Sequence, residues 1–247
     1  MLPVVAVVAV LPWREQRRTV QMSAKRSIRC VEQLILLPDL EVSTSDLVAG
    51  VDEVGRGALF GPVVAAAVIL PANQLGQLAA AGVTDSKRLT APQRQELALQ
   101  IRAVAIDCRI GLASVQEIDR INILQATFLA MRRAVSRLSP QPNLCLIDGN
   151  HCIPQLALPQ QAIVKGDQKS LAIAAASIVA KVWRDELITR LAVKYPDYDL
   201  TSNKGYGTIK HRLALQQKGA SRQHRRSFSP CAVQQTESMN QINDCLT

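Results

Sequence analysis

The run Val63–Leu70, VVAAAVIL, constrains the fold more than any other stretch of the chain. It is unbroken by any polar residue and lies between Pro62 and Pro71. Its length and its branched side chains suit a strand rather than a helix. A strand with no polar position offers no face to water. The sheet that holds it must therefore be covered on both sides, as in α/β proteins. Hydrophobic residues make up 48% of the chain and aromatics only 3%, so the covering core must be built from Ala, Val, Leu and Ile.

Other elements follow from period and punctuation. LVAGVD at 47–52 reads as a strand that ends in a Gly-rich turn. A helix is expected from Ala91, with Thr90 as its N-cap and Pro92 in its first turn. Asp107–Ser114 reads as a third strand. The clearest helix spans Val115–Leu138: Ile118, Ile121, Leu124, Phe128, Met131, Val135 and Leu138 fall at helical spacing. Ser114 and Glu117 are spaced as a capping box before it. Leu144–Asp148 and 161–166 (QAIVKG) read as short strands, Lys169–Lys194 as a long buried helix, and Thr208–Gly219 as a final helix stopped by Gly219. Residues 1–45 read as an unstructured extension with a short helix around Val31–Leu37. Residues 46–230 form one domain, a size that 247 residues allow. Residues 231–247 read as a loose polar tail.

The net charge is +9, which favours partners that carry phosphate. Between Thr201 and Arg226 there are seven Lys or Arg and no acid. The six cysteines include no C-x-x-C pair, which argues against zinc and fits reduced cytosolic thiols. The apolar N-terminal run VVAVVAV is too short to span a bilayer and lacks the positive charge that precedes the core of a secretory signal. A cytoplasmic protein is expected.

Several acids sit where apolar strands run out. Asp52 and Glu53 follow Leu47–Val51, Asp148 follows Leu144–Ile147, and Asp167 follows Ile163–Gly166. Ligands commonly bind at such strand ends. Carboxylates gathered there would repel one another, and a divalent cation removes the conflict. Hard oxygen donors without a matching His or Cys set point to Mg²⁺ or Mn²⁺. Asp148-Gly149 and Gly166-Asp167 taken singly are more often plain turns than ligand sites. Asp52 and Glu53 pose a geometric difficulty, because neighbours on a strand point to opposite faces.

The motifs together resemble type II ribonuclease H. They are GVDEVGRGALFGPVVAAAV at 50–68, TDSKRLT at 84–90, EIDRINILQAT at 117–127, LIDGNHCIP at 146–154, IVKGDQKSLAIAAASIVAKVWRDEL at 163–187, NKGYGTIKHRLAL at 203–215 and HRRSF at 224–228. The resemblance implies a ribonuclease H-like α/β fold: a mixed five-stranded sheet with helices on both faces and a helical C-terminal part. It implies that Asp52, Glu53, Asp148 and Asp167 are catalytic and hold two Mn²⁺ or Mg²⁺ ions. Asp185 also matches the pattern but lies well inside a helix, so it is expected to be structural or to support the ligands rather than to be one. Gly55, Arg56 and Gly57 match the loop that reads the 2′-hydroxyl, and Tyr206 matches the tyrosine that packs on the neighbouring sugar. Ser86 and Lys87, with Lys165, Lys169 and Lys181, are expected at phosphates, and His211 and the HRRSF segment at the duplex backbone. The implied activity is endonucleolytic hydrolysis of RNA in RNA–DNA hybrids and on the 5′ side of single ribonucleotides in duplex DNA, leaving 5′-phosphate and 3′-hydroxyl ends. A monomer is expected.

Two rivals fit less well. The related type III enzymes carry a folded N-terminal substrate-binding domain, for which a 45-residue extension is too short. A non-catalytic nucleic-acid-binding module has no use for four carboxylates at strand ends.

Overall fold

The structure, a computed structural model, describes residues 47–232. Five strands form one mixed sheet: β1 (Val48–Val54), β2 (Val63–Ile69), β3 (Asp107–Ala113), β4 (Leu144–Asp148) and β5 (Gln160–Ile163). Their spatial order is β3-β2-β1-β4-β5. The first three are antiparallel neighbours, whereas β4 runs parallel to β1 and β5 parallel to β4.

β2 is buried at every residue. Its alternate side chains take opposite faces. Val63, Ala65, Ala67 and Ile69 share a cluster with Ala126, Ala130 and Ala134 of α3 (Val115–Val135). Ala66 and Val68 share another with Leu97 and Ile101 of α2 (Ala91–Val104) and with Ala175 and Val179 of α4 (Leu171–Ala192). The two-sided cover expected from VVAAAVIL is thus present. Small residues let these layers come close. A Cβ added at Gly50 would lie 2.1 Å from the carbonyl carbon of Ala172, so the main chain of α4 rests directly on β1.

The caps read from sequence are formed. Thr90 with Gln93 and Ser114 with Glu117 make capping boxes, and Ser170 and Thr208 cap α4 and α6 (Ile209–Lys218). Gly219 ends α6 at φ 79°. Three elements differ from expectation. α3 is interrupted at Asn122, whose φ is 65°. The Asn122 side chain accepts from the N–H groups of Leu124 and Gln125, so it restarts the helix as an internal cap. A short α1 (Leu75–Ala80) buries only Leu78, too little to leave a period in the sequence. β5 stops at Ile163, because Lys165 at φ 56° turns the chain into a 3₁₀ turn over Gly166–Gln168.

The C-terminal part closes on a separate apolar cluster that joins Leu59, Phe60 and Ile188 to Tyr198, Leu215 and Cys231. It includes α5 (Leu200–Asn203), α6 and α7 (Ser229–Ala232). Single antiparallel bridges Ala58↔Tyr206 and Phe60↔His224 tie it to the segment that follows β1. The expected extension over 1–45, its short helix, the tail beyond residue 232, Cys30 and Cys245 lie outside the described residues. Cys108, Cys145, Cys152 and Cys231 are free thiols. Among the described residues no helix is long and apolar enough to cross a membrane.

Candidate active site

The sheet ends unevenly, and the uneven edge makes the site. Pairing of β1 with β4 stops at Val51↔Ile147. Asp52, Glu53 and Val54 run on beside β2 alone. Val51 packs toward α3 and Gly50 toward α4, so alternation sends Asp52 to the α4 side and Glu53 to the other. Beyond the end of β4 no strand separates the two sides. Asp52, Glu53 and Asp148 therefore all line one cleft of about 370 Å³, which removes the difficulty posed by alternation.

The acids in this cleft press on one another. Asp52 is 5% exposed. Burial, then Glu53 and Asp148, push its carboxyl well above the usual carboxylate range, while a hydrogen bond with Ser177 of α4 works against them. One Asp52 oxygen also accepts the Glu53 N–H at 2.7 Å. Burial raises the Glu53 carboxyl, Arg56 opposes that rise, and Asp148 adds to it. The Arg56 Nη1 lies 3.4 Å from a Glu53 oxygen. Asp148 accepts the N–H of Gly166 at 2.7 Å, which ties β4 to the turn that carries Asp167. Asp167 stands beside the cleft rather than in its lining, and pairs with Lys87 at 3.5 Å. Its carboxyl is raised by burial, then by Asp148 and Asp85, and Lys87 lowers it.

Among the described residues no three Asp, Glu, His or Cys side chains form a ready-made metal cage. The carboxylates instead face an open cleft. Their chemistry fits Mg²⁺ or Mn²⁺, which keep part of their coordination for water and phosphate oxygens. A cation there would also relieve the mutual repulsion recorded in Asp52, Glu53 and Asp167.

Gly55, Arg56, Gly57 and Tyr206 line the same cleft. The bridge Ala58↔Tyr206 joins the loop that follows β1 to the Tyr206 turn. Gly205 accepts from the N–H groups of both Leu59 (2.8 Å) and Phe60 (3.2 Å). Two buried arginines brace this junction; Arg184 did not stand out in the sequence, and Arg225 was expected at the duplex backbone as part of HRRSF. Arg184 of α4 donates to the main-chain oxygens of Pro62, Phe60 and Lys204, and its guanidinium lies 5.5 Å from the centre of the Tyr206 ring. Gly55 sits on Arg184: a Cβ there would lie 2.2 Å from the Arg184 Nε, and φ is +89°. Arg225 donates to Gly61 and Arg56.

Ser86, Lys87 and Lys181 line the cleft as well. The Ser86 and Ser177 hydroxyls lie 2.9 Å apart. Lys181 pairs with Asp185 at 2.9 Å, the supporting position expected for that acid. Burial draws the Lys87 pKa down, but Asp167, Asp85 and Asp52 together outweigh it and raise it. Arg94 is a lining residue that the sequence reading missed, and it holds the Ser86–Leu89 turn through the carbonyls of both residues. Lys165 and Lys169 are exposed but lie outside the lining. His211, His224 and Arg225 are at most 1% exposed, so they do not touch a duplex backbone. Within HRRSF, Arg226 and Ser227 are the exposed residues.

A family model described as Ribonuclease HII matches residues 49–231. The curated ribonuclease HII of Trichodesmium erythraeum is 67% identical over 187 residues, which cover 76% of this chain and 89% of that protein. The crystal structure of ribonuclease H2 from Pyrococcus horikoshii superposes with a TM-score of 0.64 at 28% identity, over 75% of this chain and 95% of that one. A crystal structure described as Bst-RNase HIII in complex with Mn²⁺ shares the fold at a TM-score of 0.62 and 21% identity, over 76% of this chain and 68% of that one.

Proposed function

The chain belongs to the ribonuclease HII family and is an endoribonuclease; from that premise we propose that it cuts the RNA strand of RNA–DNA hybrids and also cuts on the 5′ side of single ribonucleotides embedded in duplex DNA. The products carry 5′-phosphate and 3′-hydroxyl ends. One observation carries the reading: Asp52, Glu53 and Asp148 share a cleft with Gly55-Arg56-Gly57 and Tyr206. Groups suited to phosphoryl transfer thus face groups suited to sensing a ribose.

Asp52, Glu53, Asp148 and Asp167 would hold the cations, of which two, Mn²⁺ or Mg²⁺, supply the positive charge that stabilises the attacking and leaving oxygens of an in-line displacement. The protein's own groups do the rest. Arg56, Lys87 and Lys181 set the phosphate backbone in the cleft. Ser86 steadies Ser177, which steadies Asp52. Main-chain groups of Gly55 and Gly57 approach the 2′-hydroxyl, the group that separates RNA from DNA. The Tyr206 ring packs on the next sugar, where a deoxyribose fits without a clash. Lys169, outside the cleft, meets phosphate farther along the duplex. The protein acts as a monomer, with nucleic acid as its partner.

The decisive assay offers a DNA duplex containing one ribonucleotide to the folded protein, with Mg²⁺ or Mn²⁺ present. Cleavage on the 5′ side of the ribonucleotide is expected. No cleavage of that duplex, together with cutting of a continuous hybrid, would remove the embedded-ribonucleotide part of the proposal.

A further inference from the structure

Two buried histidines connect Ser221 to the main chain of Tyr206, and the direction of every hydrogen bond between them is fixed. The Ser221 main-chain N–H can only donate, and the Tyr206 carbonyl can only accept. Ser221 N lies 3.0 Å from His224 Nδ1, so that nitrogen is bare. A neutral imidazole then carries its proton on Nε2. His224 Nε2 lies 3.0 Å from His211 Nε2, which must therefore be bare in turn. The His211 proton is left on Nδ1, and it is donated to the Tyr206 oxygen at 2.9 Å. The Ser221 hydroxyl adds a second contact to His224 Nδ1 at 2.9 Å.

The surroundings keep both rings in place and neutral. His211 is 0% exposed and His224 1%. Tyr198 packs against both rings, and Phe60 packs edge-on against His224. Burial lowers the His211 pKa, against weaker raising by the Tyr206 carbonyl and Asp199. Burial, then His211, lowers that of His224 to about 4. The turn they hold needs holding, because Lys204 and Gly205 both have positive φ, at 52° and 85°.

We propose that His211 and His224 are positioning residues that fix the Tyr206 main chain, and through it the height of the Tyr206 ring, so that preference for a single ribonucleotide over a continuous hybrid depends on them. This rests on the reading of Tyr206 as the residue that packs on the sugar. Neither histidine lines the cleft. They act on substrate only through Tyr206.

The test compares kcat/KM on a DNA duplex with one ribonucleotide and on a continuous RNA–DNA hybrid, for the full chain and for Tyr206→Ala, His211→Phe and His211→Asn. Phe keeps a ring but has no donor. The Asn side-chain amide can stand in for the Nδ1–H. His211→Phe should lower the ratio of the two values by about three- to tenfold, the worth of one neutral hydrogen bond. His211→Asn should restore most of the ratio, which mere packing would not do. Equal losses on both substrates, or no rescue by Asn, overturn the proposal. If Tyr206→Ala leaves the ratio unchanged, the reading of Tyr206 itself fails, and that outcome is distinct from a failure of the histidines alone. Should the Phe variant not fold, nitrogen-15 NMR of the wild-type imidazoles decides: Nδ1–H on His211 and Nε2–H on His224 near neutral pH are required, and any other tautomer or a charged ring overturns the lock.

Discussion

Arg225 donates to the main-chain oxygen of Arg56 at 2.8 Å from a position with no solvent exposure. Its Nε reaches the Gly61 oxygen at 3.0 Å, so one side chain grips both ends of the segment that joins the glycine loop to β2. Its Nη2 is buried without a hydrogen-bond partner, and burial, then Arg184, pull its pKa down. Arg225→Met removes an uncomfortable charge but orphans two carbonyl groups. Each orphan costs about 1–3 kcal/mol, so the loss should win. Urea unfolding is expected to show the variant less stable by about 2–4 kcal/mol. An unchanged midpoint would mean the brace is dispensable.

Gly50 leaves no room for a side chain, because the Ala172 carbonyl carbon would lie 2.1 Å from an added Cβ and cannot swing away. Gly50→Ala should push α4 off β1, at a cost of about 3 kcal/mol or more. Because Ser177 and Lys181 ride on α4, activity should fall with stability. A variant of native stability would show that α4 can shift freely.

Asp52→Asn should leave duplex binding intact, as read by fluorescence anisotropy, while turnover falls about a hundredfold or more. Burial beside Glu53 and Asp148 penalises the ionised form of Asp52. A folded pKa raised above the unfolded one means that this penalty grows as pH rises. At neutral pH without metal, the variant should therefore melt higher, by roughly 2–4 °C. Added Mn²⁺ should stabilise the wild type more than the variant. Retained turnover would take Asp52 out of the site.

The His211–His224 pair predicts an acid-labile fold. Both folded pKa values lie below the unfolded value of 6.5, that of His224 at about 4. The unfolded chain thus binds more protons in that window. Stability is fully present above pH 6.5 and is lost as pH falls toward about 4. The titratable groups facing the pair are Tyr198, whose hydroxyl donates to Gly219, and Asp199, which favours the charged form of His211. His224→Gln keeps a donor for His211 but does not titrate, so its urea midpoint should fall less steeply over this range. Parallel curves would assign the acid loss elsewhere.

Much of this was legible in the sequence, for local reasons. VVAAAVIL demanded two covered faces, and the boxes at Thr90 and Ser114 needed only their own neighbours. Asp52 and Glu53 could be picked out because adjacent acids in an apolar strand lack a packing reason, whereas Asp148, which alone reads as a turn, was singled out only by the resemblance of the motif around it. How Glu53 joins Asp52 was not legible, since it depends on where β4 stops, a property of pairing between distant segments. Arg184 was passed over, and Arg225 was set with the rest of HRRSF at the duplex backbone, for a different reason. A basic residue in sequence reads as solvated or phosphate-bound, and only the fold supplies the carbonyls that take it inside. The same bias set His211 and His224 at the duplex surface, whereas the bridge Phe60↔His224 draws that segment into the interior. Asn122 looked like one more helical residue until its side chain was seen to cap a restart.

The bridges that fasten the segment after β1 to Tyr206 and His224 join it to residues made much later in translation. The strands that carry Asp52 and Asp148, and the turn that carries Asp167, leave the ribosome before His211, His224 and Arg225 do. A growing chain therefore owns its acidic groups and Arg184 before it owns the His211, His224 and Arg225 braces on Tyr206 and the glycine loop. Under the proposed reading, the groups that would discriminate among sugars are the last to be braced.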